Sequence, residues 1–297
     1  MKILVIGSKG FIGSTMYAIF KVDPNNIVIG CDILNDYTDG DYYQVDFSNP
    51  DYHAVFQKFQ FDCCINCSGS SSVPRSFENP LHDYLLNTVN VARILEAIRL
   101  YNPKCSFINL SSAAVYGNPG QLPVSEKAAV NPISPYGANK LAAERICEMY
   151  TSHYGLSTVN IRIFSAYGVG LKKQIVWDVC QKLLKHEPLL FFGTGNETRD
   201  FIEVTDIVLA IETIMKNKLT GVVNVANGIE VSVRQLIEHC CYLFGAKPEI
   251  HFNGEIRVGD PVNWRADIAL LSECGYCQGI SFEVGLDKYI KWVKELK

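Results

Sequence analysis

Tyr136 and Lys140, in the segment Tyr-Gly-Ala-Asn-Lys, lie four residues apart and share one face if that segment is helical. An ammonium beside a phenol favours the phenolate, and the positive ring of an oxidised nicotinamide cofactor would add to that, which together predict a tyrosine drawn from about 10 toward working pH and usable as a general base. Ser112 comes 24 residues earlier, just after an apolar strand-like run at 105–110. Its hydroxyl could hydrogen-bond the same reacting oxygen and stabilise charge as a proton leaves. Taken singly, each residue has a plainer alternative: Tyr136 as core, Lys140 as a snorkelling side chain, Ser112 as the end of a strand.

A second constellation stands at the N-terminus. Gly7-Ser-Lys-Gly10-Phe11-Ile12-Gly13 follows an apolar run at 2–6 and opens an amphipathic stretch at 11–21, and Asp32 follows the next run, 27–31, 19 residues after Gly13. Glycines so spaced permit a tight turn and let a pyrophosphate approach a helix N-terminus. A carboxylate at Asp32 would accept hydrogen bonds from both adenosine ribose hydroxyls and repel a 2′-phosphate, so the pattern implies NAD over NADP. Lys9, inside the loop, reads as a solvated side chain, with attraction of a 2′-phosphate as its alternative. Two further strand ends point toward the same cofactor, Asp46-Phe47 after a short third strand and Cys67-Ser68 at the end of the run at 62–67. A helix cap or turn is the structural alternative for Asp46.

Such residues need a scaffold to bring them together. Short apolar runs at 2–6, 27–31, 62–67, 105–110 and 157–163 alternate with helical spacing at 11–21, 83–101 and 135–154, the last opened by a Ser134-Pro135 cap. This alternation predicts an α/β fold, a Rossmann-type doubly wound parallel sheet with strands buried on both faces. Shorter elements follow residue 165. A dinucleotide-binding domain over 1–165 and a smaller α/β substrate domain over 166–297, interleaved with it, are therefore expected, with the ligand in the cleft between them.

The 297 residues carry a net charge of −4, with 48% apolar and 20% charged side chains. That composition predicts a folded globular chain without the basic field that nucleic acid requires. No apolar run reaches the roughly 18 residues of a membrane span, and the N-terminus reads as a strand and not as a leader, so a cytoplasmic location is expected. The eleven cysteines then read as free thiols. No metal is expected: Cys64-x-x-Cys67 and Cys274-x-x-Cys277 look like halves of a zinc site, but Cys64 and Cys67 lie on one strand, where positions i and i+3 face opposite ways, and the six histidines show no ligand spacing.

With these motifs in place, the chain resembles the extended short-chain dehydrogenase/reductase family, in its nucleotide-sugar epimerase and dehydratase branch, over nearly its whole length. Beyond the glycine loop and Tyr136-x-x-x-Lys140, the resemblance is carried by Pro80 to Asn87, Gly193 to Asp206 and Arg257-Val-Gly-Asp260. It implies that Asn87 lies near the cofactor, that Arg199 and Arg257 contact the phosphates or ribose of a sugar nucleotide, and that Asp260 helps to hold the ribose. It also implies a homodimer formed through the helices at 83–101 and 135–154. Arginine forks suit a diphosphate; salt bridges to Asp200 or Asp260 are their structural alternative.

Dehydratases of the branch carry an acidic pair directly after the serine, where this chain has Ala113-Ala114. The activity implied is thus NAD-dependent epimerisation of a nucleotide diphosphate sugar at C4 through a 4-keto intermediate. Ser165 stands where many UDP-sugar epimerases have asparagine, and its hydroxyl would donate toward the phosphates with a shorter reach. Reductases of nucleotide-linked 4-keto-6-deoxy sugars use the same triad, so an NAD(P)H-dependent reductase is the alternative. A redox-sensing binding module without turnover is a third reading.

Overall fold

The computed structural model describes residues 1–296. The chain runs β1 (Lys2–Ile6), α1 (Phe11–Val22), β2 (Ile27–Asp32), β3 (Tyr42–Gln44), α2 (His53–Lys58), β4 (Cys63–Asn66), α3 (Val73–Glu78), α4 (Pro80–Tyr84), a π-helical turn (Leu85–Val89), α5 (Asn90–Tyr101), β5 (Ser106–Ser112) and a 3₁₀ turn (Ala113–Tyr116). It continues through α6 (Pro135–Tyr154), β6 (Thr158–Ile163), β7 (Ser165–Tyr167), α7 (Gln174–Lys185), β8 (Leu189–Phe191), β9 (Thr198–Arg199), β10 (Phe201–Glu203), α8 (Val204–Asn217), β11 (Gly221–Val225), β12 (Val231–Ser232), α9 (Val233–Phe244), β13 (Ile250–Phe252), α10 (Ala269–Glu273) and α11 (Phe282–Glu295).

Seven strands pair in the order β3-β2-β1-β4-β5-β6-β11, all parallel. Period-two alternation splits each strand between two cores. Ile3 and Val5 of β1 face α1 and α8, where Met16, Phe20, Ile207 and Ile211 cover them. Leu4 and Ile6 face α2, α5 and α6, through Phe56, Ile94, Leu95 and Cys147. Both faces are dry, which is why the strands read as unbroken apolar runs. The order turns back between β1 and β4, and the carboxyl ends of strands at such a switch point open a crevice for ligands.

From beyond residue 165, α8 and β11 complete this unit. α10 joins that unit through Leu271, while α7, α9 and α11 pack with β8 and β10 around Tyr167, Leu236, Leu286 and Tyr289. None of the eleven cysteines is paired, and eight are buried. Among the described residues, no helix is long and apolar enough to cross a membrane.

The stretch 83–101 is not the single helix its periodicity predicts. The Asn90 N–H donates to Leu85 O, one residue further back than in an α-helix, so 85–89 forms a wide π turn between α4 and α5. The extra residue in the turn leaves the Asn87 side chain buried in the interior. Elsewhere, β5 extends two residues past its expected end, to Ser112, so the candidate catalytic serine terminates the strand itself.

Candidate active site

The turn after β1 is built by close backbone approach. Gly7 adopts φ +81°, and its N–H donates to Cys31 O at 2.7 Å. Because α1 starts against this turn, a Cβ on Gly13 would lie 2.1 Å from Gly7 O. Gly13→Ala must therefore displace backbone, an overpacking cost of about 1–3 kcal/mol. Its expected result is at least a roughly tenfold loss of NAD affinity, read by titrating the purified variant with the dinucleotide. Phe11 and Ile12 occupy the first turn of α1; Phe11 packs toward the α7–α11 layer, Ile12 toward the sheet.

Asp32 ends β2 with one oxygen accepting the Lys9 N–H at 2.8 Å and the other the Ile33 N–H at 2.7 Å, which aims the carboxylate across the loop. Lys9 is not a free solvated cation. Its ammonium pairs with Asp36 and lies 4.8 Å from the Tyr42 ring centroid, so its charge is already matched where a 2′-phosphate would seek it.

Asp46 closes an Asx turn: Oδ1 accepts the N–H groups of Ser48 and Asn49 at 2.7 and 3.0 Å and the Ser48 hydroxyl, which together hold the carboxyl below its usual range. Phe47 is exposed beside His82. Cys67 continues the register of β4, its N–H on Ile6 O at 2.8 Å and its thiol pushed up to about 12 by burial. The Ser68 hydroxyl donates to Asn66 and accepts from Asn90 at 2.9 Å, and a buried amide chain runs on from Asn66 to Asn109 and Asn160 across β4, β5 and β6.

Two side chains here lack partners. The Ser8 hydroxyl and both amide atoms of Asn87 are buried and make no hydrogen bond. Buried polar groups are nearly always satisfied, so these mark places for a polar ligand. Together with the Gly7–Gly13 turn, the N-terminus of α1 and Asp32, they form a set that fits a dinucleotide.

The catalytic candidates converge next to this loop. Ser134 caps α6 by accepting the Gly137 N–H at 3.1 Å, and Pro135 occupies the first turn. A Cβ on Gly137 would sit 2.6 Å from Ala114 O, so the absence of one lets α6 press Tyr136 onto the 3₁₀ turn that follows Ser112. Ser112 Oγ accepts the Ala114 N–H at 3.2 Å. The Lys140 ammonium donates to Leu110 O at 2.9 Å and stands 5.9 Å from the Tyr136 ring centroid.

In the protein alone, without the cofactor's positive charge that the expectation includes, Lys140 does not depress Tyr136. Burial pushes the phenol up to about 12, and the downward pull comes from the Ser112 hydroxyl; Asp83, a carboxylate on α4, pushes it further up. Lys140 is itself desolvated to about 8, and its ammonium is turned toward a backbone carbonyl. Burial of two groups in one dry pocket outweighs their mutual attraction.

On the facing side, Ser165 opens β7 half-buried, its N–H on Asp200 O at 2.9 Å. Arg199 donates to Thr198 O and Val262 O at 2.8 and 3.2 Å and lies 5.7 Å from the Trp264 ring centroid. Arg257 is exposed near Phe192. Asp260 falls within the field of both guanidiniums, which pull its carboxyl down while burial pushes it up and prevails. Asp200 is not the partner of Arg199: its oxygens accept the N–H groups of Asn227, Gly228 and Ala266 at 2.9–3.0 Å and fasten two loops. Sequence reasoning passed over Ser8 and Asp83. For Asp83 a signal existed, since it precedes Asn87 by four residues and so belongs to the same helical face.

The family described as NAD dependent epimerase/dehydratase matches residues 3–226. A UDP-glucose 4-epimerase of Halalkalibacterium halodurans is 30% identical, over 82% of this chain and 81% of that protein. A UDP-glucuronate 4-epimerase of Thermodesulfobacterium geofontis is 27% identical, over 98% and 96%. Among solved structures, the UDP-glucuronic acid 4-epimerase from Bacillus cereus, in complex with UDP-glucuronic acid and NAD, superposes with a TM-score of 0.91 at 25% identity, covering 100% of both chains. With its glycine turn, its Tyr136–Lys140 pair and a match spanning most of its length, this chain belongs to the NAD-dependent epimerase/dehydratase family.

Proposed function

We propose that this protein is an NAD-dependent UDP-sugar 4-epimerase. The observation that carries the reading is the convergence of Ser112, Tyr136 and Lys140 at the carboxyl end of β5 beside the glycine turn: Lys140 is hydrogen-bonded to Leu110 O on β5, the neighbouring β4 runs on into Cys67, and Cys67 abuts Gly7. The two residues after Ser112, Ala113 and Ala114, are buried and carry no acid, so no group is placed there to eliminate water. The relatives named above are 4-epimerases, which does not favour the reductase reading.

Bound NAD supplies the hydride acceptor, later the donor, and a positive charge beside the phenol. Ser112 orients the sugar 4-hydroxyl, and Tyr136 takes its proton as C4 is oxidised. Lys140 holds the ribose side of the cofactor and favours the phenolate once that added charge is present. Arg199, Arg257 and Asp260 retain the nucleotide diphosphate while the 4-keto sugar turns over its other face. Tyr136 then returns the proton to O4.

A homodimer through the α4–α6 surface belongs to the same proposal, supported by the exposed Leu81, Tyr84, Leu85, Leu100, Met149 and Tyr154. Tyr150 is not part of that face; it is buried with its hydroxyl on Glu96 at 3.0 Å. Eleven unpaired cysteines support a reducing, cytoplasmic location.

The test is incubation with UDP-glucose, UDP-glucuronate and UDP-N-acetylglucosamine without reductant. The expected result is the C4 epimer of at least one sugar, with no net change in reduced cofactor. Recovery of all three unchanged from enzyme that holds NAD would overturn the reading.

A further inference from the structure

We propose that Asp83 is a positioning residue for the acid–base pair: its buried carboxylate, hydrogen-bonded to Asn139 beside Lys140, sets the charge environment in which Tyr136 and Lys140 hold and release protons. The inference rests on Tyr136 being the base.

Asp83 is only 2% exposed. Its Oδ2 accepts the Asn139 amide at 2.8 Å, and its Oδ1 has no donor. The Thr88 hydroxyl donates to Asn139 O at 2.9 Å, so α4 and the π turn grip the side chain and the carbonyl of the residue just before Lys140. A carboxylate taken out of water is costly unless a cation or several donors compensate it, and a single amide is too little.

The groups that act on Lys140 come from several elements. From β5 comes only the Leu110 carbonyl. From β4 comes Cys67, whose thiol burial keeps protonated. From its own helix comes Glu144, already neutralised by Arg162 at 2.7 Å. Asp83, from α4, also acts on Lys140, and among the described residues it forms no close ion pair of its own. Facing Tyr136 are the Ser112 hydroxyl and, again, Asp83. One negative charge therefore acts on both members of the pair in the same direction: it keeps the ammonium charged against burial and keeps the phenol protonated until positive charge arrives with the cofactor.

Asp83→Asn removes the charge and retains an acceptor for Asn139. In the holoenzyme, its profile of kcat/KM against pH should move toward acid on both limbs by about one pH unit or more, the acid limb through Tyr136 and the alkaline limb through Lys140. Asn139→Ala, which cuts the hydrogen bond and leaves the charge, should lower the profile without moving its limbs. Limbs of D83N that coincide with wild type, or an equal displacement in N139A, would overturn the proposal. Asp83→Ser serves where D83N does not fold.

Because the chain has 15 tyrosines, phenolate absorbance is titrated as the difference from Tyr136→Phe; its midpoint should fall in D83N. An unchanged midpoint also overturns the proposal. This readout needs no turnover, so it decides the role of Asp83 even if no UDP-sugar is epimerised and the functional reading fails.

Discussion

Tyr136→Phe is expected to lower kcat by about 10³-fold or more while NAD affinity and melting temperature stay close to wild type. The variant deletes one oxygen and nothing else. The ring remains in the apolar cluster formed by Val115, Phe164 and Trp264, so packing is retained. Ser112 Oγ keeps the Ala114 N–H, and the Lys140 ammonium keeps Leu110 O, so no new buried group is orphaned. What disappears is the group that, in the proposed mechanism, accepts the 4-hydroxyl proton and later returns it to O4, and each turnover needs both transfers. Ser112→Ala, which removes one hydrogen bond to the same oxygen, should cost less, on the order of 10². Steady-state rates with the best UDP-sugar, paired with a thermal melt, check both. Phenylalanine activity within tenfold of wild type would mean that another group, or water, carries the proton.

The sheet was legible because its strands are buried twice over. Ile3 to Ile6 and Cys63 to Ile65 are apolar at every position since both faces meet helices, and their shortness and the glycine turn after the first mark them as buried strands. Tyr136, Lys140 and Ser112 were legible because helical periodicity and a strand end place them without knowledge of the tertiary fold. The π turn at 85–89 was not, because Leu85, Leu86 and Val89 keep a helical apolar spacing whether or not one residue is added to the turn, and the burial of Asn87 that accompanies it is a tertiary fact. The protonation of the pair was equally hidden. Spacing reports that Tyr136 and Lys140 are close, but not that both are desolvated or that Asp83, more than 50 residues earlier, stands against them.

Glu144→Gln should destabilise the protein by about 3–5 kcal/mol, a fall in melting temperature of roughly 6–20 °C. Glu144 is 1% exposed and sits one turn beyond Lys140 on α6. Its Oε1 accepts the Ser111 hydroxyl at 2.6 Å and Arg162 Nε at 3.0 Å, and its Oε2 accepts Arg162 Nη2 at 2.7 Å. Arg162, on β6, is sandwiched in turn against the Tyr116 ring at 4.7 Å. The carboxylate thus ties the catalytic helix to the strand end that carries Ser112 and to the next strand. Loss of its charge leaves a guanidinium buried without a counter-ion, which is the larger part of the penalty. Glu144→Leu with Arg162→Met, which removes both charges, should regain much of the stability, because a buried pair offers little net advantage over apolar packing. Activity need not return with it: neither side chain then fixes Ser111 or the helix turn that holds Lys140. A double variant that melts near wild type yet turns over slowly would assign the ion pair to positioning. If E144Q alone melts within about 1 kcal/mol of wild type, the pair anchors neither the fold nor the site.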